Sequence, residues 1–321
     1  METLRQIEQQ IRDIRGLREI VQSMRTLAST YLKRAEEQLH SVRLYHETVV
    51  QALSVALGAY GKGVRDLPAK VPDTLKPSAA PEAIVLFATE QGLCGRFNEV
   101  MVDALRRCLA ERPHARTVVL GQRGRGVAEN AGIPVFRSYP AVTSPDGIPG
   151  AIRRTAEELY RLYAEGTVSA IYLLHAVHRA VGRFDENFER VLPLDVLASG
   201  MTERRQETVE SREERKAHLS PLSSLPSIFR QPPLTYVPKG VLRRRLVEEY
   251  YFIRFYWAFV ETVASENSVR LQSMEAARAN IEDTLADLES RRRILRQNEI
   301  TEELMDVISG AEAVTGRTRR G

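Results

Sequence analysis

The chain has 321 residues, and 46 Lys and Arg residues against 42 Asp and Glu residues give a net charge of only +4. Such a small excess over many mixed charges does not require a nucleic-acid partner, which a concentrated basic block would indicate. Two cysteines, Cys94 and Cys108, are too few for a disulfide scaffold and lack a metal-ligand spacing such as Cys-x-x-Cys, so a reducing compartment is favoured.

Proline and glycine divide the chain into helical ends and a non-helical middle. All 15 prolines lie between Pro68 and Pro238, and Val241 to Ser309 contains neither proline nor glycine. We expect no signal or transit peptide at the charged N-terminus, and no window approaches the ~20 apolar residues of a membrane span. The predicted organisation is an N-terminal long helix (1–60), a Pro-rich linker (61–82), an α/β domain (83–200), a charged and Pro-rich mobile connection (201–238), a C-terminal long helix (239–316) and a tail (317–321).

The first segment carries apolar residues at a spacing of seven. One column is Ile7, Ile14, Val21, Ala28, Ala35, Val42, Val49 and Ala56, and a patchier one is Leu4, Ile11, Arg18, Arg25, Leu32, Leu39, His46 and Leu53. A 3.5-residue period held this long predicts a left-handed coiled coil with another helix. At about 1.5 Å per residue, a helix from Leu4 to Leu57 is roughly 80 Å long.

The middle of the chain alternates between strand and helix patterns. The predicted strands are 83–88, 117–120, 134–136 and 168–175, and the predicted helices are 99–111, 122–130 and 151–165, with Ala176 to Arg179 leaving the sheet. This alternation predicts a Rossmann-like α/β domain with a mostly parallel sheet and helices on its faces.

Three features of this middle region invite a catalytic or metal-binding interpretation. Gly121, Gly124 and Gly126 follow a strand in the order G-x-x-G-x-G, which differs from the dinucleotide-binding order and favours turn chemistry. Cys94 lies between two glycines without a local base, which favours a buried structural thiol over a nucleophile. The pair of histidines at 175 and 178 is incomplete as a zinc site.

The last segment repeats the seven-residue pattern. One column is Leu246, Ile253, Val260, Asn267, Met274, Ile281, Leu288 and Leu295, and the other is Tyr250, Trp257, Ala264, Leu271, Arg278, Leu285 and Arg292. Beyond Leu295 the phase changes, so the last turns face something other than the first helix. Periodicity alone allows a homodimer, but a complete domain between the two segments favours an antiparallel pair within one chain. The arginines that interrupt the seam mark where other chains could surround it.

Several motifs resemble those of one known family, the γ subunits of F-type ATP synthases. These are ATEQGLCGRFN at 88–98, GQRGRGVAENAGIPV, EIVQSMRTLASTYLKRAE, ASENSVRLQSMEAARANIEDTL and RQNEITEELMDVISGAEAV. The resemblance spans the chain and is most specific near the C-terminus. Arg96, Gln91, Asn298 and Glu299 depart from the family pattern, as does the charged segment 202–218, which indicates a divergent bacterial-type member.

The resemblance implies a central rotor shaft that couples ion flow through a membrane ring to conformational cycling of catalytic subunits, without a catalytic residue, cofactor or metal of its own. The implied partners are the F1 α and β subunits, the ε subunit and the membrane c-ring, on the cytoplasmic face of the cell membrane, and not nucleic acid. The implied site residues are β-subunit contacts at Met24, Arg25, Arg296, Gln297 and Thr301, a bearing tip at Leu304, Val307, Ile308 and Ala311, and a foot loop at Gly92, Leu93, Cys94 and Gly95. Two other functions stay open from the residues alone: a coiled-coil adaptor or scaffold, and an enzyme built on the α/β middle.

Overall fold

The computed structural model describes residues 3–56, 80–142, 148–194 and 236–318. Contacts within the chain divide it into two compact units. The first unit comprises Met1–Ser29 and Arg270–Gly321, and the second comprises Thr30–Val269. Most of the predicted linker and connection, at 61–79 and 201–235, lies outside the described residues.

The predicted terminal helices are confirmed and contribute to both units. Helix α1 runs over Leu4–Ala56 and helix α5 over Lys239–Thr318, with 53 and 80 residues respectively. Neither helix contains proline, which would remove a backbone donor and kink it. Among the described residues, none of the helices is long and apolar enough to cross a bilayer.

In the first unit the two helices pack against each other in opposite directions. Arg15 pairs with Glu289 at 2.9 Å and Arg25 pairs with Glu275, so rising numbers on α1 meet falling numbers on α5. The buried residues of this seam are Ile7, Ile11, Val21, Met274, Ile281, Leu285 and Leu288. The antiparallel pair within one chain is therefore confirmed.

In the second unit the same helix pair continues with aromatic residues. Val49 and Leu53 of α1 pack with Tyr250 of α5, and the Tyr45 hydroxyl donates to the Glu249 carboxylate at 2.7 Å. Here too the direction is antiparallel, since position 45 lies near 249.

His46, a polar residue in the predicted seam, is buried among aromatic rings. Its ring centroid lies 5.6 Å from that of Tyr250 and 5.4 Å from that of Trp257, the chain's sole tryptophan. Burial, assisted by the positive charge of Arg254 and opposed by Glu189, lowers the pKa of His46 to about 4. A neutral imidazole therefore fills the seam in place of an apolar side chain.

We expect His46→Leu to flatten the pH dependence of stability between about pH 6.5 and pH 4. In the unfolded chain His46 takes up a proton near pH 6.5, whereas in the folded chain it stays neutral down to about pH 4. The contribution of His46 to the free energy of unfolding is thus complete above about pH 6.5. It is lost as the pH falls toward 4, by about 3 kcal/mol. Denaturant unfolding followed by Trp257 fluorescence measures the difference. His114→Leu, an exposed matched control, keeps the original slope, and an equal slope in both variants would contradict the assignment.

The α/β domain in the second unit is built on five strands. They are β1 Ala83–Phe87, β2 Arg116–Leu120, β3 Val135–Tyr139, β4 Ile171–Ala180 and β5 Arg183–Leu192, in the spatial order β3-β2-β1-β4-β5. Strands β1 to β4 are parallel to one another, and β5 is antiparallel to β4. The predicted mostly parallel sheet is confirmed.

Helices cover both faces of this sheet. Helices α2 (Phe97–Glu111), α3 (Gln122–Asn130) and α4 (Ile148–Ala164) follow β1, β2 and β3 in turn. Alternate residues of β1 face opposite sides, as the period of two requires. Leu86 joins the cluster that contains Phe97 and Ala128 of α2 and α3, whereas the Phe87 ring lies 5.1 Å from Phe255 of α5.

The prediction that Ala176 to Arg179 leaves the sheet was wrong, because β4 continues to Ala180 and turns into β5. Strand β5 was not predicted, since it is an edge strand and half of its sequence RFDENFERVL is charged. Its two aromatic residues, Phe184 and Phe188, both pack against the core of the sheet. With one charged face exposed, such a strand gives little apolar signal.

Candidate functional site

The predicted foot loop turns sharply between β1 and α2. Leu93 has a φ of 65° and Gly95 a φ of 53°, both in the left-handed region. A non-glycine residue in that region costs of order 1 kcal/mol or more. The Leu93 side chain is exposed while neighbouring Cys94 is buried, so the loop presents an apolar side chain outward.

A buried polar network holds this loop from behind. Asn98 accepts from the Thr89 backbone N–H at 3.1 Å and donates its amide to the Thr89 hydroxyl at 2.8 Å. The Cys94 thiol lies 3.7 Å from the same hydroxyl, which itself donates to the Gln91 carbonyl at 2.7 Å. The predicted burial of the Cys94 thiol is confirmed, because Cys94 Sγ faces this network and not solvent.

Two of the three glycines after β2 have a structural reason, a turn at Gly121 and close packing at Gly124. Gly121 has a φ of 109°, and a Cβ on Gly124 would lie 2.1 Å from the Cβ of Ala88. The Glu90 carboxylate accepts from the backbone N–H of Gln122 at 3.0 Å and of Ala141 at 2.8 Å. A carboxylate therefore occupies the helix N-terminus where a bound phosphate would lie in a nucleotide site. The predicted turn is found at Gly121, whereas Gly124 and Gly126 lie within α3.

The two histidines of β4 do not share a site. His175 Nε2 lies 3.0 Å from the Asn187 amide nitrogen and 3.6 Å from a Glu189 carboxylate oxygen. His178 Nε2 faces Glu36 of α1 at 3.5 Å. Their rings thus contact different residues, as expected for structural histidines.

Met24 and Arg25, the predicted contacts on α1, lie at the surface of the first unit. Met24 is partly buried against the seam, and Arg25 pairs with Glu275 of α5. Arg25 is therefore already neutralised within the chain, and any external carboxylate would share it with Glu275. Pairing in a partly exposed position of this kind adds little to stability.

Arg296, Gln297 and Thr301, the predicted contacts on α5, are exposed along one stretch of the helix. The Thr301 hydroxyl donates to the Gln297 backbone carbonyl at 2.8 Å, so it is bonded within the helix. Arg296 lies 21 residues beyond Glu275, the residue that pairs with Arg25, or about 30 Å along the helix. The two predicted contact sets therefore form separate surfaces and not one site.

The predicted tip of α5 exposes apolar side chains. Leu304, Val307 and Ile308 are exposed, Val307 to 69%, and neighbouring Met305 is exposed as well. The Ala311 side chain lies outside the described residues. Several large apolar side chains exposed on consecutive turns indicate an interaction surface.

A second exposed apolar stripe on α1 was missed in the sequence. Leu17, Ile20 and Leu27 are exposed, and Met24 lies between them. Their spacings of three, four and three form a second heptad column displaced from the buried one, and this spacing could have revealed the stripe. Single exposed apolar residues are ordinary, but three exposed ones along one face of a helix are typical of a surface that contacts another chain.

Comparison with known proteins gives one consistent family. A sequence model described as ATP synthase matches residues 3–314. The chain is 24% identical over 319 residues to the ATP synthase gamma chain of Desulforapulum autotrophicum, covering 98% of this chain and 100% of the relative. It is 27% identical over 336 residues to that of Sorangium cellulosum, covering 98% and 99% respectively.

Two solved structures are similar in fold. One is the central stalk and c-ring of the Tetrahymena thermophila mitochondrial ATP synthase, with a TM-score of 0.51 and 16% identity over 80% of this chain and 99% of that chain. The other is the rotor of the Euglena gracilis mitochondrial ATP synthase, with a TM-score of 0.51 and 13% identity over 91% and 99%.

Proposed function

The chain belongs to the ATP synthase family as a γ chain, the non-catalytic central stalk of the F-type enzyme, and we propose that it turns inside a ring of α and β subunits. In this role it carries torque between a membrane c-ring and the catalytic subunits of F1. The proposed division of labour is a shaft formed by 1–60 and 239–316 and a foot formed by 83–200.

The antiparallel pairing of α1 with α5 is the observation that carries this proposal. A helix pair with different side chains on each face presents those faces in turn to surrounding subunits as it rotates. Each catalytic subunit is then biased among its conformations by differential contacts with the shaft. The exposed side chains of Leu17, Ile20 and Leu27 supply an apolar face, and Arg296 with Gln297 supplies a polar one.

The foot, in this proposal, lies near the membrane rotor and the ε subunit, on the cytoplasmic face of the membrane. Its exposed Leu93 in the foot loop supports a role in contact with a neighbouring chain. The tip of α5 is proposed as a bearing in the collar of the α and β ring, where Leu304, Val307 and Ile308 meet apolar surface.

Arg296→Ala combined with Gln297→Leu tests the proposed β-subunit contact. Losing partly desolvated charged contacts costs about 2 to 5 kcal/mol, so the rate of rotation-coupled ATP synthesis should fall more than about tenfold. The measurement is ATP synthesis by the assembled complex in ion-tight vesicles. Since both side chains are exposed in the chain itself, its helix content by circular dichroism should be unchanged.

The matched control is Gln122→Leu with Arg123→Ala, which makes the same changes at two adjacent exposed residues of α3 in the foot. This control should keep the original synthesis rate. Normal coupled synthesis by the Arg296 and Gln297 variant would refute the proposed contact.

A further inference from the structure

A buried charge pair joins the sheet to α5 in the second unit. Arg254 of α5 pairs with Glu189 of β5, and the two side chains are only 12% and 13% exposed. His175 of β4 lies 3.6 Å from the same carboxylate and is almost fully buried. Burial tends to raise the pKa of Glu189, but the charges of Arg254 and His175 and their hydrogen bonds outweigh it and lower that pKa to about 2.

A second polar attachment holds the turn between β4 and β5. The Ser268 hydroxyl of α5 donates to the Ala180 carbonyl at 2.9 Å and accepts from the Gly182 backbone N–H at 2.7 Å. A single side chain of the helix thus binds both ends of the hairpin turn.

A third attachment lies between these two. One oxygen of the Glu261 carboxylate accepts from the His178 backbone N–H at 3.0 Å, and the other accepts from the Trp257 indole N–H at 3.2 Å. The indole contact keeps the carboxylate oriented toward the backbone of β4.

The α5 residues of these three attachments recur at seven-residue intervals. Positions 254, 261 and 268 lie on one face of the helix, two turns apart, and together span about 21 Å. They form a polar column beside the apolar seam columns, and each member reaches a different part of the β4–β5 hairpin: β5, the end of β4, and the turn.

We propose that this polar column is a rotational lock, in which Arg254 with Glu189, Glu261 and Ser268 fix the foot against turning about the axis of α5. The inference rests on the proposed function, because a lock matters only if torque passes from the foot to the shaft. Apolar packing, such as Phe87 against Phe255 at 5.1 Å, is non-directional and resists separation more than rolling. Hydrogen bonds and ion pairs depend on angle, so they resist rolling directly.

Two variants remove parts of the lock while leaving the core filled. Glu189→Leu with Arg254→Met replaces the pair by apolar side chains of similar volume, a change that buried ion pairs tolerate. Ser268→Ala removes only the two hydrogen bonds between Ser268 and the hairpin turn. The matched control, Arg179→Met with Asp185→Leu, removes an exposed ion pair within the hairpin that does not involve α5.

The test compares ATP hydrolysis with ATP-driven ion pumping by the complex assembled with its α, β, ε and membrane partners. Both lock variants should hydrolyse ATP yet pump at least twofold fewer ions per ATP, and the control should keep the original ratio. An unchanged ratio in both lock variants would overturn the lock while leaving the rotor function intact. Failure of the unaltered chain to support coupled pumping would instead overturn the rotor function itself.

Discussion

Replacement of Glu189 by leucine alone is expected to lower the free energy of unfolding by about 3 to 5 kcal/mol. The change leaves the guanidinium of Arg254 buried over the Trp257 ring without the Glu189 carboxylate. Uncompensated charge in a buried site is far costlier than loss of the pair as a whole, so Glu189→Leu combined with Arg254→Met should recover most of the lost stability. Denaturant unfolding followed by Trp257 fluorescence measures both values.

Glu189 also contributes to the loss of stability in strong acid. Folded Glu189 has a pKa of about 2, below the value near 4.3 of an unfolded glutamate. Its contribution is therefore complete above about pH 4.3 and is lost as pH falls toward 2, by about 3 kcal/mol. The double apolar variant should lack this loss. An exposed-pair variant, Arg179→Met with Asp185→Leu, should retain it, and a Glu189 single variant as stable as the original chain would contradict the assignment.

Leu304→Glu combined with Val307→Glu is expected to weaken assembly with the α and β ring at least about a hundredfold. Desolvating a charge costs several kcal/mol per ion, and each 1.4 kcal/mol is a factor of ten in affinity. Both positions are exposed in the chain itself, so its helix content should not change. Titration of the isolated chain into purified α and β subunits measures the affinity.

Glu302→Gln with Glu303→Gln is the control for this prediction. It alters the charge of the same turn by two units without touching the apolar side chains, and it should assemble normally. Equal affinity of the Leu304 and Val307 variant and the original chain would remove the support for a bearing at this tip.

The heptad columns predicted the helix pair because a period of 3.5 residues is a long-range statement about one buried face. The buried residues at 7, 11, 21, 274, 281, 285 and 288 all belong to the two columns predicted on each helix. Apolar runs likewise predicted β1 and β2, which are buried on both faces of a parallel sheet.

Prediction from the sequence failed where only one face of a strand is buried, or where two interacting residues are distant along the chain. Strand β5 lies at the sheet edge, and its charged face concealed the strand. The pairing of Glu189 with Arg254 spans 65 residues, so neither periodicity nor local spacing could predict it. The family resemblance predicted partner contacts at Arg296, Gln297 and Thr301, and these stay predictions because they depend on chains outside this structure.

The unequal lengths of the two paired helices have a mechanical consequence in the first unit. The seam on α5 ends at Leu295, whereas the helix continues to Thr318, about 35 Å further. Among the described residues that stretch has no companion helix, and a lone helix resists twisting less than a supercoiled pair does. Under the same torque, the segment of α5 beyond Leu295 should therefore twist through a larger angle than the paired segment. This elastic twist would smooth stepwise rotations applied to the paired segment.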